Sequence, residues 1–299
     1  FDGYPMAQQG IAGKALAIAA WSSFAGGTFA TFYLLFLAPS LSKVSLSFRS
    51  PDYFALMLLG LTAIAAFSSK GQFLKAMMMV VLGLMLASVG QDSLSDITRF
   101  TFNNMNLTDG ISFVLVVMAT FAMSEALTII LKRNDPSAVA KQVSLTELGS
   151  IKINKEERGQ MLKTIPRNSI IGFIIGVLPG AGATIASFLA YGMERNFVSD
   201  KEKEKFGKGS VHGLAAPETA NNAACSGAFV PLLTLGIPGS GTTAVMLGAL
   251  LGFGIQPGPR LYITNPEIFW SVIMSMYIGM VILLILNLPL IPYIARILA

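Results

Sequence analysis

Apolar residues are concentrated in seven long runs that together cover most of the 299-residue chain. Several of these runs approach the roughly 20 apolar residues that a helix needs to cross the hydrocarbon core of a bilayer. The pattern predicts an all-α, polytopic membrane protein with helices at residues 11–38, 53–67, 73–89, 111–131, 169–191, 223–253 and 268–286. The second run is short for a span, so we expect it to be tilted, broken or buried.

The run at residues 169–191 contains three helix breakers near its centre, Pro179, Gly180 and Gly182. In a helix interior, Pro costs about 3 kcal/mol and Gly about 1 kcal/mol relative to Ala. Non-helical backbone at membrane depth is tolerated only where it is buried in protein or lines a water-filled cavity. The break therefore predicts a binding site. The alternative is a proline-kinked spanning helix whose glycines allow close packing.

The run at residues 223–253 is interrupted in the same way, by Pro238, Gly239 and Gly241. Each flank of this break is too short to cross a bilayer alone. Two interrupted apolar segments are the best indication of a transport site that a sequence can offer. We therefore expect both breaks to contribute to one site.

Lysine and arginine are concentrated in two loops, at residues 132–167 and 194–208, although only 12% of the chain is charged. By the positive-inside rule, both loops are predicted to be cytoplasmic. The segment between them would then enter and leave the membrane on the same side, as a re-entrant hairpin with ten-residue arms of about 15 Å. The net charge of +5 thus indicates topology, and we expect no nucleic-acid binding.

Reactive and metal-binding residues are scarce in this sequence. One cysteine, Cys225, excludes an internal disulfide, and one histidine, His212, gives no metal-ligand pattern. Because no nucleophile and base are spaced for catalysis, we predict neither an enzyme nor a bound cofactor. We expect Cys225 to be a small packing residue and His212 to be exposed to solvent in a loop.

The chain resembles the large membrane subunit of the tripartite tricarboxylate transporters in LPGAGATIASFLAYGMER, FGKGSVHGLAAPETANNAACSGAFVPLLTLGIPGSGTTAVMLGALLGFGIQPGP and DGYPMAQQG. The likeness runs over essentially the whole chain. It implies a secondary active symporter of the bacterial inner membrane that imports a small, tricarboxylate-like organic carboxylate. It also implies two partners besides the lipid bilayer, a periplasmic solute-binding protein and a small membrane subunit, and Na⁺ or H⁺ as the coupling ion. A carboxylate channel and a membrane-embedded enzyme are the alternatives.

Members of that family are longer than this chain, which implies a fragment that lacks part of a first repeat and the C-terminal helices. Pro5 and Gly27 are 22 residues apart, as are Pro257 and Gly279, and each pair is followed by the end of a long apolar run. We therefore expect an inverted-repeat transporter with re-entrant or broken helices. Residues 1–131 would hold membrane helices, the tail of the first repeat and part of a scaffold. Residues 132–167 would form a cytoplasmic linker, and residues 168–299 the second repeat with the transport site.

A carboxylate substrate needs partial positive charge, which amide groups at the starts of the half-helices could supply together with nearby hydroxyl groups. N-capping of the same helices by those hydroxyls is the alternative role. The predicted substrate-binding residues are the two breaks and their polar neighbours: Pro179, Gly180, Ala181, Gly182, Thr184, Asn221, Asn222, Pro238, Gly239, Ser240, Gly241, Thr242 and Thr243.

The coupling ion is predicted to bind at the polar stretch before the second broken run, at Glu218, Thr219 and Asn221. Na⁺ takes oxygen ligands, which asparagine side chains and free carbonyls offer, and an intramembrane carboxylate is a functional candidate by default. Glu218 could instead carry a proton or cap the start of a helix. The Asn221–Asn222 pair could equally form a helix cap or a turn.

Overall fold

The structure, a computed structural model, describes residues 2–47, 49, 51–52, 54–55, 58, 73–91, 97–112, 115–116, 119–123, 126–127, 130–131, 149–179 and 182–298. Over these residues the α-helices, numbered in chain order, are α1 (Gly3–Gln8), α2 (Ala12–Ser45), α3 (Phe73–Ala87), α4 (Lys155–Val177), α5 (Gly182–Phe197), α6 (Asp200–Lys203), α7 (Val211–Gly227), α8 (Phe229–Leu235), α9 (Gly241–Gly252), α10 (Leu261–Thr264) and α11 (Pro266–Leu298). Short 3₁₀ and π-helical turns form at Met105–Leu107 and Ala119–Met123. A two-stranded antiparallel ribbon pairs β1 (Gly90–Gln91) with β2 (Thr98–Arg99). The all-α prediction is confirmed.

Two of the described helices are long and apolar enough to cross a membrane, at Ala12–Val44 within α2 and at Pro266–Leu290 within α11. Two other apolar helices, Phe73–Ala87 and Gly241–Gly252, are shorter. These helices match four of the predicted apolar segments. The predicted run at 53–67 lies largely outside the described residues. The run at 111–131 is described in part and contains the π-helical turn at Ala119–Met123.

Helix α7 forms the centre of the described bundle and packs against α2, α4 and α5. Its sequence, VHGLAAPETANNAACSG, is rich in small residues, so neighbouring backbones can approach it closely. A Cβ atom added at Gly172 or at Gly176 of α4 would lie 2.6 Å from the Cα atom of Ala220 or Ala224 in α7. The α4–α7 interface is therefore a contact of backbone against backbone.

Helices α2, α4 and α7 run in the same direction. At one end Lys14 Nζ is 2.9 Å from Glu157 Oε1, and further along Tyr33 Oη is 3.3 Å from Ser169 Oγ. Thr31 and Ser226 likewise join α2 to α7. We call the end where α2, α4 and α7 begin the charged end, and the opposite end, where α4 and α7 stop, the tip end.

A short helix followed by a long one occurs twice, as α1 with α2 and as α10 with α11. The two long helices pack against each other in opposite directions: Gly27 contacts Met280, and Ala38 further along α2 shares a core with Phe269, which is earlier in α11. Gly27 and the neighbour of Met280, Gly279, are the positions that sequence spacing matched. Antiparallel packing is what an inverted repeat requires, and the repeat itself stays a prediction.

Two predicted helix starts are wrong. Helix α4 begins at Lys155 and not at residue 169, because Asn154 and Glu157 form a capping box with hydrogen bonds of 2.7 and 2.8 Å. Its 23 residues are about 34 Å long, more than twice the predicted arm. The second broken segment likewise begins at Val211 and not at residue 223. The division into three regions stays a prediction.

Candidate functional site

The first break is a turn between two antiparallel helices. Helix α4 ends at Val177, Leu178 has an extended backbone, and α5 begins at Gly182 with a positive φ of 69°. Arg167 of α4 contacts Glu194 near the end of α5, so the two helices fold back on each other. The predicted hairpin is present, while its depth in a membrane stays a prediction. Gly180 and Ala181 lie outside the described residues.

The second break separates α8 from α9. Gly236 ends α8 in the left-handed conformation (φ 73°), and Ser240 is the N-cap of α9. The Thr243 backbone N–H donates to Ser240 Oγ at 3.3 Å, and the Ser240 N–H donates to Thr243 Oγ1 at 2.8 Å. The hydroxyls of Ser240 and Thr243 therefore have the capping role. Thr184 and Thr242 are exposed.

The second break and the end of α4, which leads into the first break, both contact the junction of α7 and α8. Gly239, in the second break, is buried against Ala228, whose Cα atom would lie 3.1 Å from a Cβ added to the glycine. A Cβ added to Gly227 would lie 3.2 Å from the Cα atom of Gly176, which is one residue before the end of α4. Residues 227 and 228 thus have the second break on one side and, on the other, the end of α4 three residues before Pro179.

Glu218, Asn221 and Asn222 lie elsewhere, in the middle of α7. They neither cap a helix nor form a turn, so both of those alternatives are wrong. Asn221 is seven residues before Ala228, about 10 Å along the helix, and Glu218 is about 15 Å away. The structure therefore separates Glu218, predicted for the ion, and Asn221 and Asn222, which were also predicted to bind the substrate, from the two breaks.

Glu218 and Asn221 line a cavity of about 360 Å³. Ser187 of α5 also lines it; its Oγ accepts a hydrogen bond from Asn221 Nδ2 at 3.1 Å and donates to the Pro217 carbonyl at 3.2 Å. Ser23 Oγ of α2 donates to Glu218 Oε2 at 3.2 Å. The cavity wall is therefore polar where α7 faces α5.

A second cavity, of about 350 Å³, lies between α2 and α11 and is lined by Ser23, Asn222 and Asn287 among apolar residues. Ser23 borders this cavity and donates to Glu218, which borders the first one. The Glu218–Ser23 pair thus lies between two cavities. Sequence reasoning missed Ser23, Ser187 and Asn287, although each is a polar residue in an apolar helix.

Thr219 has a different environment. Its side chain is fully buried, and its Oγ1 donates to the Ser22 carbonyl at 3.4 Å. Gly26 of α2 packs against the Thr219 backbone. This residue joins α7 to α2 and lines neither of the two cavities described above.

A third polar cluster, near the charged end, was not predicted. Glu194, with no exposed side-chain surface, accepts hydrogen bonds from Arg167 Nε at 3.0 Å, Arg167 Nη2 at 2.6 Å, Asn168 Nδ2 at 2.8 Å and Thr164 Oγ1 at 3.0 Å. Burial alone raises the pKa of this carboxyl. The hydrogen bonds from His212, Arg167 and Asn168 and the charge of Arg167 outweigh it, and the pKa falls to about 2.

His212 belongs to the same cluster, with Nδ1 at 2.6 Å from Thr164 Oγ1 and 3.3 Å from Glu194 Oε1. Its exposed fraction is 6%, so the prediction of a solvent-exposed loop histidine is wrong. It is buried because α7 begins at Val211 and packs this residue against α4. The prediction for Cys225 is also wrong, since this residue is exposed.

The chain is similar to known proteins along its whole length. A profile described as the tripartite tricarboxylate transporter TctA family matches residues 1–299. A protein of Agrobacterium vitis, described as a 52.8 kDa protein in the TAR-I ttuC' 3' region, is 44% identical over 290 residues, which are 97% of this chain and 56% of that protein. A second protein of the same organism, from the TAR-II ttuC' 3' region, is 49% identical over 120 residues, 40% of this chain and 49% of the relative. The chain spans about half the length of these curated relatives. No solved structure matches it.

Proposed function

Because the chain belongs to the tripartite tricarboxylate transporter TctA family, we propose that it is part of a multi-pass carrier of the bacterial inner membrane that imports a small organic carboxylate. A tricarboxylate-like molecule would arrive from a periplasmic solute-binding protein, and a small membrane subunit would complete the transporter. The family match and the two long apolar helices support this membrane placement.

The substrate is proposed to bind between the two breaks. The observation that carries this proposal is the contact of Gly227 with Gly176, at the end of α4 that leads into the first break, and of Ala228 with Gly239 in the second break. Helix α9 begins at the second break and α5 at the first, and amide groups in the first turn of a helix favour a carboxylate. The exposed hydroxyls of Thr184 and Thr242 are further donors.

The coupling ion is proposed to bind at Glu218 and Asn221, about 10 to 15 Å from the breaks along α7. Glu218, Asn221 and Ser187 offer oxygen atoms to one cavity, which suits Na⁺. The position of the Glu218–Ser23 pair between two cavities suits H⁺ equally well. Thr219 is not included, because its hydroxyl faces α2.

The test is uptake of labelled citrate and smaller carboxylates into cells that make the whole protein with both partners, with and without a Na⁺ gradient and a pH gradient. We expect saturable, gradient-dependent uptake. Gly239→Leu should abolish it because the added side chain meets Ala228. Gly192→Ala is the matched control, since no atom lies within 4 Å of an added Cβ.

Glu218→Gln separates the two ions. It keeps the side-chain shape and should abolish H⁺-driven uptake, whereas Na⁺-driven uptake should persist at lower apparent Na⁺ affinity. Flux that does not saturate and ignores both gradients would favour a channel. Absence of uptake for every carboxylate, from a complex shown to assemble, would overturn the proposal.

A further inference from the structure

An open groove of about 600 Å³ lies on the outer surface near the charged end, between α2 and the first half of α4. Trp21, Met161, Leu162 and Ile165 form its apolar wall. Leu162 is 73% exposed and Trp21 is 41% exposed, so the wall is open to the surroundings of the protein. A groove of this kind can take an apolar chain.

Two basic residues, Lys152 and Arg158, also line the groove, and both are exposed. Within the part of the chain that the structure describes, neither has a carboxylate partner within 4 Å. Neighbouring cations differ: Lys14 pairs with Glu157, and Arg167 pairs with Glu194. The groove therefore combines an apolar wall with two positive charges that no carboxylate of the described residues neutralises.

The groove also has residues of the kinds expected at the level of lipid headgroups. Trp21 is in the candidate span Ala12–Val44, and tryptophan is enriched at membrane–water interfaces. Further along α4, towards the tip end, Ile170 and Ile174 are 48% and 58% exposed, as residues that face acyl chains would be. The basic residues of this end indicate the cytoplasmic leaflet, whose anionic lipids attract basic residues near the surface.

We propose that this groove binds an anionic phospholipid of the cytoplasmic leaflet. Its phosphate would lie by Lys152 and Arg158, and an acyl chain would follow Trp21 and Leu162. The proposal rests on the membrane placement given above and is independent of the transported substrate and the coupling ion. A phospholipid fits because the two charges and the apolar wall are parts of one groove.

The test uses the whole protein in nanodiscs that contain phosphatidylcholine with increasing phosphatidylglycerol, with bound lipid counted by native mass spectrometry. The double variant Lys152→Gln/Arg158→Gln should weaken retention of phosphatidylglycerol about thirtyfold and leave phosphatidylcholine unchanged. Lys201→Gln/Lys208→Gln removes two exposed charges from the same end of the protein, outside the groove, and should have no such effect. The exchange Lys152→Arg/Arg158→Lys keeps the charge and should retain binding.

Equal loss in the two charge-removing variants would overturn the proposal, because the charge would then act without the groove. Equal retention of the two lipids by the unmodified protein would overturn it as well. A photo-crosslinking residue in place of Leu162 should capture phospholipid. Capture of a protein chain there, with no lipid adduct, would assign the groove to a protein contact and refute the lipid site.

Discussion

Arg167→Met should destabilise the protein because it leaves the carboxylate of Glu194 buried without its cation. Glu194 has no exposed side-chain surface, whereas the Arg167 side chain is 33% exposed. Breaking a buried pair by removing one partner costs roughly 3 to 5 kcal/mol. The lower end, about 3 kcal/mol, is expected because Arg167 is partly solvated and Asn168 and Thr164 still donate to Glu194.

Measuring Arg167→Met again in a Glu194→Gln background isolates the contribution of the Glu194 charge. A neutral amide needs no cation, so Arg167→Met should cost only about 1 kcal/mol there, for lost hydrogen bonds. The guanidinium also lies 4.5 Å from the centre of the Phe197 ring, and that contact is lost in both backgrounds, so it cancels in the cycle. The expected coupling between the two residues is about 2 kcal/mol.

The measurement is reversible unfolding by SDS in mixed micelles at pH 7, followed by circular dichroism for the unmodified protein, both single variants and the double variant. Equal costs of Arg167→Met in the two backgrounds would show that the pair contributes through packing and not through charge. That result would refute the assignment of a buried, ionised Glu194.

Two further predictions follow from the same geometry. The pKa of Glu194 is lowered from 4.5 to about 2, so its contribution to stability is present above pH 4.5 and is lost as the pH falls towards 2. The free energy of unfolding of the unmodified protein should therefore fall by about 2 kcal/mol between pH 5 and pH 3 because of this group. Glu194→Gln should lack that part of the pH dependence. Superimposable pH profiles of the two proteins would contradict the lowered pKa. Gly176→Ala forces a Cβ against the α7 backbone and should lower the free energy of unfolding by about 1 to 3 kcal/mol in the same SDS titration. The control Gly192→Ala should change it by less than about 0.5 kcal/mol. An unchanged stability of Gly176→Ala would show that α4 and α7 are not in backbone contact.

The breaks could be predicted from sequence because Pro and Gly in an apolar run leave few alternatives. Hydropathy failed at the start of α4, where the charged residues that suggested a loop lie on a helix. The signal that could have located this start was local, the Asn154–Glu157 capping box. Composition and hydropathy contain no information on whether two polar side chains are hydrogen-bonded to each other.

The Glu194 cluster was missed for a different reason. Arg167 is twelve residues before Pro179, and Glu194 is twelve residues after Gly182, so a hairpin that folds back at the first break places Arg167 and Glu194 opposite each other. Counting from the break would have paired them. The helical position of Asn221 and Asn222 had no such signal, because packing of α7 between three helices overrides the local preference of asparagine for turns.

The contact of α4 with α7 also limits how the protein can change shape. Glycine backbone against alanine backbone leaves no side chain whose rotamer could change to let one helix slide along the other. The end of α4 is therefore stiff with respect to α7 and moves together with it, whereas α9 is joined to α8 through the short turn that contains Gly239. We expect spin-label distances between α4 and α7 to stay constant on substrate addition and those from α7 to α9 to change. The second break would then act as a hinge for α9, while the end of α4 keeps its position against α7.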